Sequence, residues 1–247
     1  ILQMASLGLG DINQFDFVQP PDSRQINDGF RLLEEIEAIS RKKGRVTLTK
    51  LGRQISRLPV DPRYARMVVA AGEFNALMEV MVIATGLSIQ DPRERPQDKR
   101  AQADEAHSEF ADKDSDFIAL WNLWLAFREQ QKALSNSQLR KWCHGHFINY
   151  LRMREWQDIV SQLRKSVAEI DLRITSQAAD YQAIHQALCS GLLSHVGMKD
   201  KDREYLGARN TKFMIFPGSG LAKANPKWIV AAELVETSKL FGRMVAK

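Results

Sequence analysis

The stretch Ala103–Phe110, ADEAHSEF, contains an Asp-Glu-Ala-His string. Adjacent carboxylates of this kind can hold magnesium and align a water against a nucleotide phosphate. Such a pair works from the end of a buried strand that faces a phosphate cradle. The residues before it, DPRERPQDKRAQ from Asp91, are mostly charged or polar and contain no apolar run that reads as a strand. A G-x-x-x-x-G-K-[ST] loop is missing too. GRVTLTKL at Gly44 has Thr49 where the second glycine belongs, and GSGLAKAN at Gly218 has Lys223 without a glycine before it. The string therefore reads as a coincidence on a polar loop or helix start.

Other reactive groups converge no better. WCHGHF offers Cys143, His144 and His146, but helical neighbours two residues apart point about 200° apart and cannot share an ion. A core cysteine beside two polar histidines is the expectation. No G-x-S-x-G elbow is present, and GLGD at Gly8 reads as a helix end because no strand precedes it. The chain itself is expected to hold no catalytic, cofactor or metal site.

The elements that would position anything else are mostly helical. PPDSRQINDGFRLLEEIEAIS has a cap at Asp22 or Ser23 and apolar residues at Ile26, Phe30, Leu33 and Ile36. A turn at RKKG, a short strand RVTL and a helix capped by Thr49 follow, which is the rhythm of a winged helix. Asp61 and Pro62 open the next helix. ALMEVMVIATGLSI is apolar nearly all round and so belongs among other helices. Gln90 to Asp116 is expected to be a solvated connection. SQLRKWCHGHFINYLRMREWQDIVSQLRKSVAEI predicts one long helix or two, with Leu139, Trp142, Phe147, Tyr150, Leu151, Trp156, Ile159 and Leu163 inward. DYQAIHQALCSGLL predicts a last helix. Beyond it LLSHVGM, EYLGARN, TKFMIFP, KWIVAAELVET and KLFGRMVAK read as five strands of a small β-barrel of the oligonucleotide-binding kind.

At 247 residues with 44% hydrophobic content, the chain can bury a substantial core. Two cysteines outside any C-x-x-C pair point to a reducing, cytoplasmic setting. No apolar run has membrane-spanning length, so no membrane partner is expected. The start, apolar from Ile1 with no methionine, is expected to be a cut inside a longer chain. Residues 197 to 247 carry ten Lys/Arg against five acids, which accounts for the whole formal net charge of +5. A polyanion would be met mainly at that end, unless the excess is only a solvated surface.

Several stretches, in order along nearly the whole chain, resemble one family: ILQMASLGLGDINQFDFVQPPD, LTKLGRQISRLPVDPRYARMVVAA, LSIQDPRERP, FINYLRMREWQDI, ALCSGLLSHVGM and FPGSGLAKANPKWIVAAELVETSKLFGR. They are similar to the helicase-associated region C-terminal to the motor in DEAH-box ATP-dependent RNA helicases, above all the bacterial HrpA type. The resemblance implies a mainly α chain with a C-terminal β part. A winged-helix-like domain would occupy 1–60, a helical ratchet-like domain 61–174, and an oligonucleotide-binding-fold-like domain 175–247, ending before its barrel is complete and leaving its last strand unpaired. It implies a non-catalytic accessory region that binds single-stranded RNA, or single-stranded DNA, and clamps it against RecA-like motor domains of the same polypeptide. ATP and magnesium would be bound by those motor domains. FPGSG stands where eukaryotic relatives carry a His-Pro-Ser-Ser pattern, which leaves the role of Ser219 open.

Asn149, Arg152 and Arg154 match the ratchet-helix segment that approaches RNA in the family, and arginine's planar fork suits phosphate. A salt-bridged face with Glu155 and Asp158 is the competing reading. Ser219, Lys223 and Lys227 lie on a loop between expected strands, where such barrels offer basic side chains to a nucleic-acid backbone. Thr237, Ser238 and Lys239 match the family's Thr-Ser segment beside the RNA path, against a plain strand end. The alternative function is a stand-alone winged-helix regulator on duplex DNA, presenting Lys50, Arg53 and Arg57.

Overall fold

The computed structural model describes residues 1–42 and 45–247. The helices are α1 (Leu2–Leu7), α2 (Ser23–Glu35), α3 (Lys50–Ile55), α4 (Pro62–Glu73), α5 (Leu77–Ser88), α6 (Arg100–Ser108), α7 (Asp116–Ala133), α8 (Asn136–Gly145), α9 (Tyr150–Glu169) and α10 (Tyr181–Cys189). The strands are β1 (Ile39–Lys42), β2 (Arg45–Leu48), β3 (Val196–Lys199), β4 (Glu204–Gly207), β5 (Lys212–Ile215), β6 (Trp228–Glu236) and β7 (Leu240–Ala246). The chain packs as two compact units, residues 1–81 with 162–191 and residues 82–161 with 192–247. Each unit is discontinuous, whereas the domain ranges expected from sequence simply follow chain order.

In the first unit the caps stand where their residue types place them. Asp22 accepts a hydrogen bond from the Arg24 N–H at the head of α2, Thr49 Oγ1 accepts from Gly52 N–H on α3, and Asp61 accepts from Arg63 N–H on α4. Each satisfies an amide that would otherwise lack a partner in the first helical turn. Ile26, Phe30 and Leu33 turn the apolar stripe of α2 inward. β1 pairs antiparallel with β2, Ile39 opposite Leu48, and completes a two-stranded wing after α2. The sequence showed only β2, because ISRK carries a single apolar side chain. The expected RKKG turn includes Lys43 and Gly44, which lie outside the described residues. α10 packs on α4, whose face of Ala65, Val68 and Ala71 is fully buried.

In the second unit Trp156 is the anchor of the helical part. It is fully buried, its Nε1–H donates to Val82 O at 2.9 Å and Thr85 Oγ1 at 3.1 Å, and its ring centroid lies 5.2 Å from that of Trp124. The indole is seated against Gly86, where a Cβ would come within 2.5 Å of Cζ2. The expected long helix is two, α8 and α9. Within this unit the inward set on α9 is Met153, Trp156 and Val160, at three-four spacing, while Leu151 stands 74% exposed. Leu151 thus lies about half a turn from the inward position expected of it. Gln90 to Asp116 is not the solvated connection expected. It contains α6, and Ala103, His107, Phe110 and Ser115 are buried.

All five strands read at the C-terminus are present, and they close into a barrel of order β3-β4-β5-β7-β6. Every pairing is antiparallel except β5 with β7. The last strand was expected to lack a partner. Instead β7 pairs with β5 on one side and β6 on the other. A five-stranded barrel has little interior, and here the Phe213 ring fills much of it beside Tyr205, Leu221 and Val245. Gly197, Gly207 and Gly242, on three different strands, leave that ring its space. A Cβ on Gly197 would approach Phe213 Cζ to 2.6 Å. Gly197→Ala should therefore overpack the barrel and lower unfolding stability by about 1–3 kcal/mol, measured by chemical denaturation. Unchanged stability would contradict this packing.

Candidate nucleic-acid interface

Asp116, the first residue of α7, ties the barrel to the helical part of its unit. Its side chain is buried, and both carboxylate oxygens are committed to backbone amides. Gly220 N–H donates to Oδ1 at 3.1 Å and Val245 N–H donates to Oδ2 at 2.9 Å. One acid thus holds the loop between β5 and β6 and also the last strand. The flanking contacts reinforce it: Ser115 bridges to Ala246, and Lys247 N–H donates to Asp114 O at 3.0 Å with its Nζ 2.7 Å from Asp114 Oδ1.

Beside it lies Arg93, whose guanidinium pairs with Asp91 at 2.8 Å and comes within 3.6 Å of Met244 Sδ on β7. Burial alone would raise the Asp91 carboxyl and lower Arg93. Their mutual attraction outweighs burial, so Asp91 sits below and Arg93 above its ordinary value, and both stay charged. A charged pair inside the unit fixes the 91–95 segment in one geometry.

That geometry decides the roles of the α9 residues. Asn149 Oδ1 accepts from the Arg152 N–H, its Nδ2 donates to Glu94 at 2.9 Å, and Arg152 Nη1 donates to Asp91 O at 2.9 Å. Asn149 and Arg152 are thus engaged with the 91–95 segment. Arg154 lies two residues on, points to another side of the helix, is exposed, and has no ion pair among the described residues. The two arginines do not share a face.

On the barrel, the loop between β5 and β6 is built rather than loose. Leu221 is fully buried in the core, Gly220 is held by Asp116, and Ser219 Oγ accepts from Leu221 N–H. Ser219 serves the loop's own backbone. Lys223 and Lys227 project from this braced segment and are exposed. Thr237, Ser238 and Lys239 form the turn of the β6–β7 hairpin, with Thr237 N–H donating to Lys239 O at 2.9 Å, and all three are exposed. The β3–β4 loop, Asp200–Arg203, holds none of the contact residues expected from sequence. It meets the β5–β6 loop where Lys199 N–H donates to Lys227 O at 2.8 Å. Within the loop Asp200 and Asp202 offset Lys201 and Arg203, so it carries no net charge to flag it.

The Asp-Glu-Ala-His string lies within helix α6, not on a loop. Asp104 pairs with Arg95 at 2.7 Å, and His107 is buried with Nε2 3.2 Å from Phe147 O. Among the described residues His107 Nδ1 has no partner. No group of three or more metal-ligating side chains occurs among them either. In the first unit Arg53 and Arg57 line a groove of about 960 Å³ with Phe30 and residues of α1. No helix is long and apolar enough to cross a membrane among the described residues.

Residues 61–120 match the family of the helicase associated domain (HA2), ratchet-like, and residues 184–247 match the oligonucleotide/oligosaccharide-binding (OB) fold. Fold and matches together define the class, a helicase-associated region. Two relatives are similar over the whole chain. The ATP-dependent RNA helicase HrpA of Escherichia coli (strain K12) is 57% identical over 250 residues, and the ATP-dependent RNA helicase HrpA homolog of Haemophilus influenzae is 56% identical over 252. Over its whole length the chain is thus similar to one region of these two HrpA-type helicases. It spans 19% of the length of either relative.

Two outcomes follow. Asp116→Ala strands the amides of Gly220 and Val245 and should cost roughly 2–5 kcal/mol in chemical denaturation, with Asp116→Asn intermediate. Burial lowers the His107 pKa below its ordinary 6.5, an effect that Arg95 and Arg93 reinforce against the Phe147 carbonyl. The unfolded chain then takes up the proton more readily. Stability should be full above pH 6.5 and fall as the pH drops below it, and the fall should be shallower in His107→Gln. Equal pH slopes would contradict the burial of a neutral imidazole.

Proposed function

We propose that this region binds single-stranded RNA without catalysing a reaction itself, and clamps the strand against RecA-like motor domains of the same polypeptide. ATP and magnesium belong, on this reading, to those motor domains, and the whole protein is an ATP-dependent RNA helicase working in the cytoplasm. The observation that carries the proposal is the braced basic loop on a closed oligonucleotide-binding barrel. Lys223 and Lys227 extend from a backbone pinned by Asp116, and Lys239 extends from the neighbouring hairpin. Fixed cations on a rigid frame lose little entropy when a phosphate arrives. Arg154 supplies a further exposed cation on α9. The relatives' name, ATP-dependent RNA helicase, supports RNA as the polymer. The placement of Asp104 and Glu105 on a helix, with Asp104 engaged by Arg95, supports a site of nucleotide hydrolysis elsewhere.

Contacts of this kind neutralise phosphate and read no base, so binding should tolerate sequence and weaken steeply with salt. Four exposed cations give a slope of log affinity against log salt of roughly −2.8, at about −0.7 per phosphate neutralised. Lys223→Glu with Lys227→Glu should lower affinity and flatten the slope toward about −1.4. Asp104→Ala should do neither. Titration of a single-stranded oligonucleotide at several salt concentrations checks this, and equal slopes in wild type and double variant would overturn the loop's role.

A further inference from the structure

Strand register lines up four side chains across the outside of the barrel. Trp228 on β6 lies opposite Met198 on β3, Met198 opposite Leu206 on β4, and Leu206 opposite Lys212 on β5. Their neighbours Ile229, Gly197, Tyr205 and Phe213 are buried, so alternation sends the row outward. Trp228 is 53% exposed and Met198 38%, with Leu206 half-buried beside them. A flat indole continued by a thioether and an isobutyl group leaves an apolar strip open to water. Three side chains match one or two nucleobases in extent, far less than the roughly 800 Å² per partner of a stable protein interface.

The charges around the strip favour a polyanion. Lys199 follows Met198, Lys227 precedes Trp228, and their backbones are hydrogen-bonded at 2.8 Å. Lys201 and Arg203 stand exposed on the adjoining loop. Of that segment's acids, Asp200 and Glu204 are engaged with Lys212 at 3.0 and 3.7 Å, which leaves Asp202. Lys199, Lys201, Arg203 and Lys227 have no ion pair among the described residues.

We propose that Trp228, Met198 and Leu206 form a stacking platform for one or two bases of single-stranded RNA, with Lys199 and Lys227 meeting the flanking phosphates. The proposal rests on the RNA-binding reading above and adds base contact to it. Every base has a π-face, so the platform strengthens binding without selecting sequence. Trp228 also accounts for a large exposed aromatic that packing inside the barrel does not use.

The test measures the full chain against an oligouridylate of about 12 nucleotides and an abasic ribose-phosphate oligomer of equal length. Trp228→Ala should bind the oligouridylate about 5- to 100-fold more weakly, with Trp228→Phe restoring most of the loss. The abasic oligomer should bind wild type and Trp228→Ala alike, and the salt slope should not move. Oligouridylate should quench indole emission in wild type and much less in Trp228→Phe, a readout that stands even if the alanine variant is unstable. Equal oligouridylate affinity in wild type and Trp228→Ala, with emission unaltered, overturns the platform and leaves phosphate binding standing. Absence of oligouridylate binding by wild type overturns both. Self-association that Trp228→Ala abolishes, with RNA affinity unchanged, assigns the strip to a protein contact and likewise overturns the platform.

Discussion

The Asp116 carboxylate is the interaction on which the second unit depends. Its two oxygens take the amides of Gly220 and Val245, which lie 104 and 129 residues further along the chain. A buried carboxylate tolerates such a site only when its lone pairs are met by well-placed donors. Here the donors are backbone groups, so they cannot swing away as side chains can. The position of the barrel's last strand and the path of its basic loop are therefore set by one helix N-terminus.

From that constraint follows the separation between residues that build and residues that can bind. Asn149, Arg152 and Ser219 spend their polar groups on the protein's own backbone and on Glu94. Arg154, Lys223, Lys227 and Lys239 are exposed. The charged Asp91–Arg93 pair belongs with the first group. It orders the segment that Asn149 and Arg152 hold, and Arg93 reaches Met244 on β7. Rigid scaffolding behind exposed cations is the arrangement expected of a surface that meets a polymer without reading it.

Local signals carried much of the fold in the sequence. Asp22, Thr49 and Asp61 cap the helices they precede, and the change to alternating periodicity after the DYQAIHQALCSGLL helix marks all five barrel strands. What failed was non-local. Leu151 stands exposed because YLRMREW has apolar residues on two faces, and only packing of Trp156 over Gly86 selects one of them. α6 was hidden because it is polar on most of its surface, with burial confined to Ala103 and His107. Asp116 closes the stretch expected to be a solvated connection, and nothing local announces partners a hundred residues away. The basic loop was legible from Lys223 and Lys227. The row Trp228–Met198–Leu206 was not, since it exists only once three strands are in register.

Amide hydrogen–deuterium exchange of the chain, alone and with a saturating single-stranded oligouridylate, tests the proposed RNA-binding surface most directly. Protection is predicted in the β3–β4 loop, the segment from Lys223 to Trp228 and the Thr237–Lys239 turn, with α3 from Lys50 to Ile55 unchanged. Protection confined to α3 and the wing, or protection that appears with duplex DNA and not with the single strand, would contradict a barrel that carries the strand.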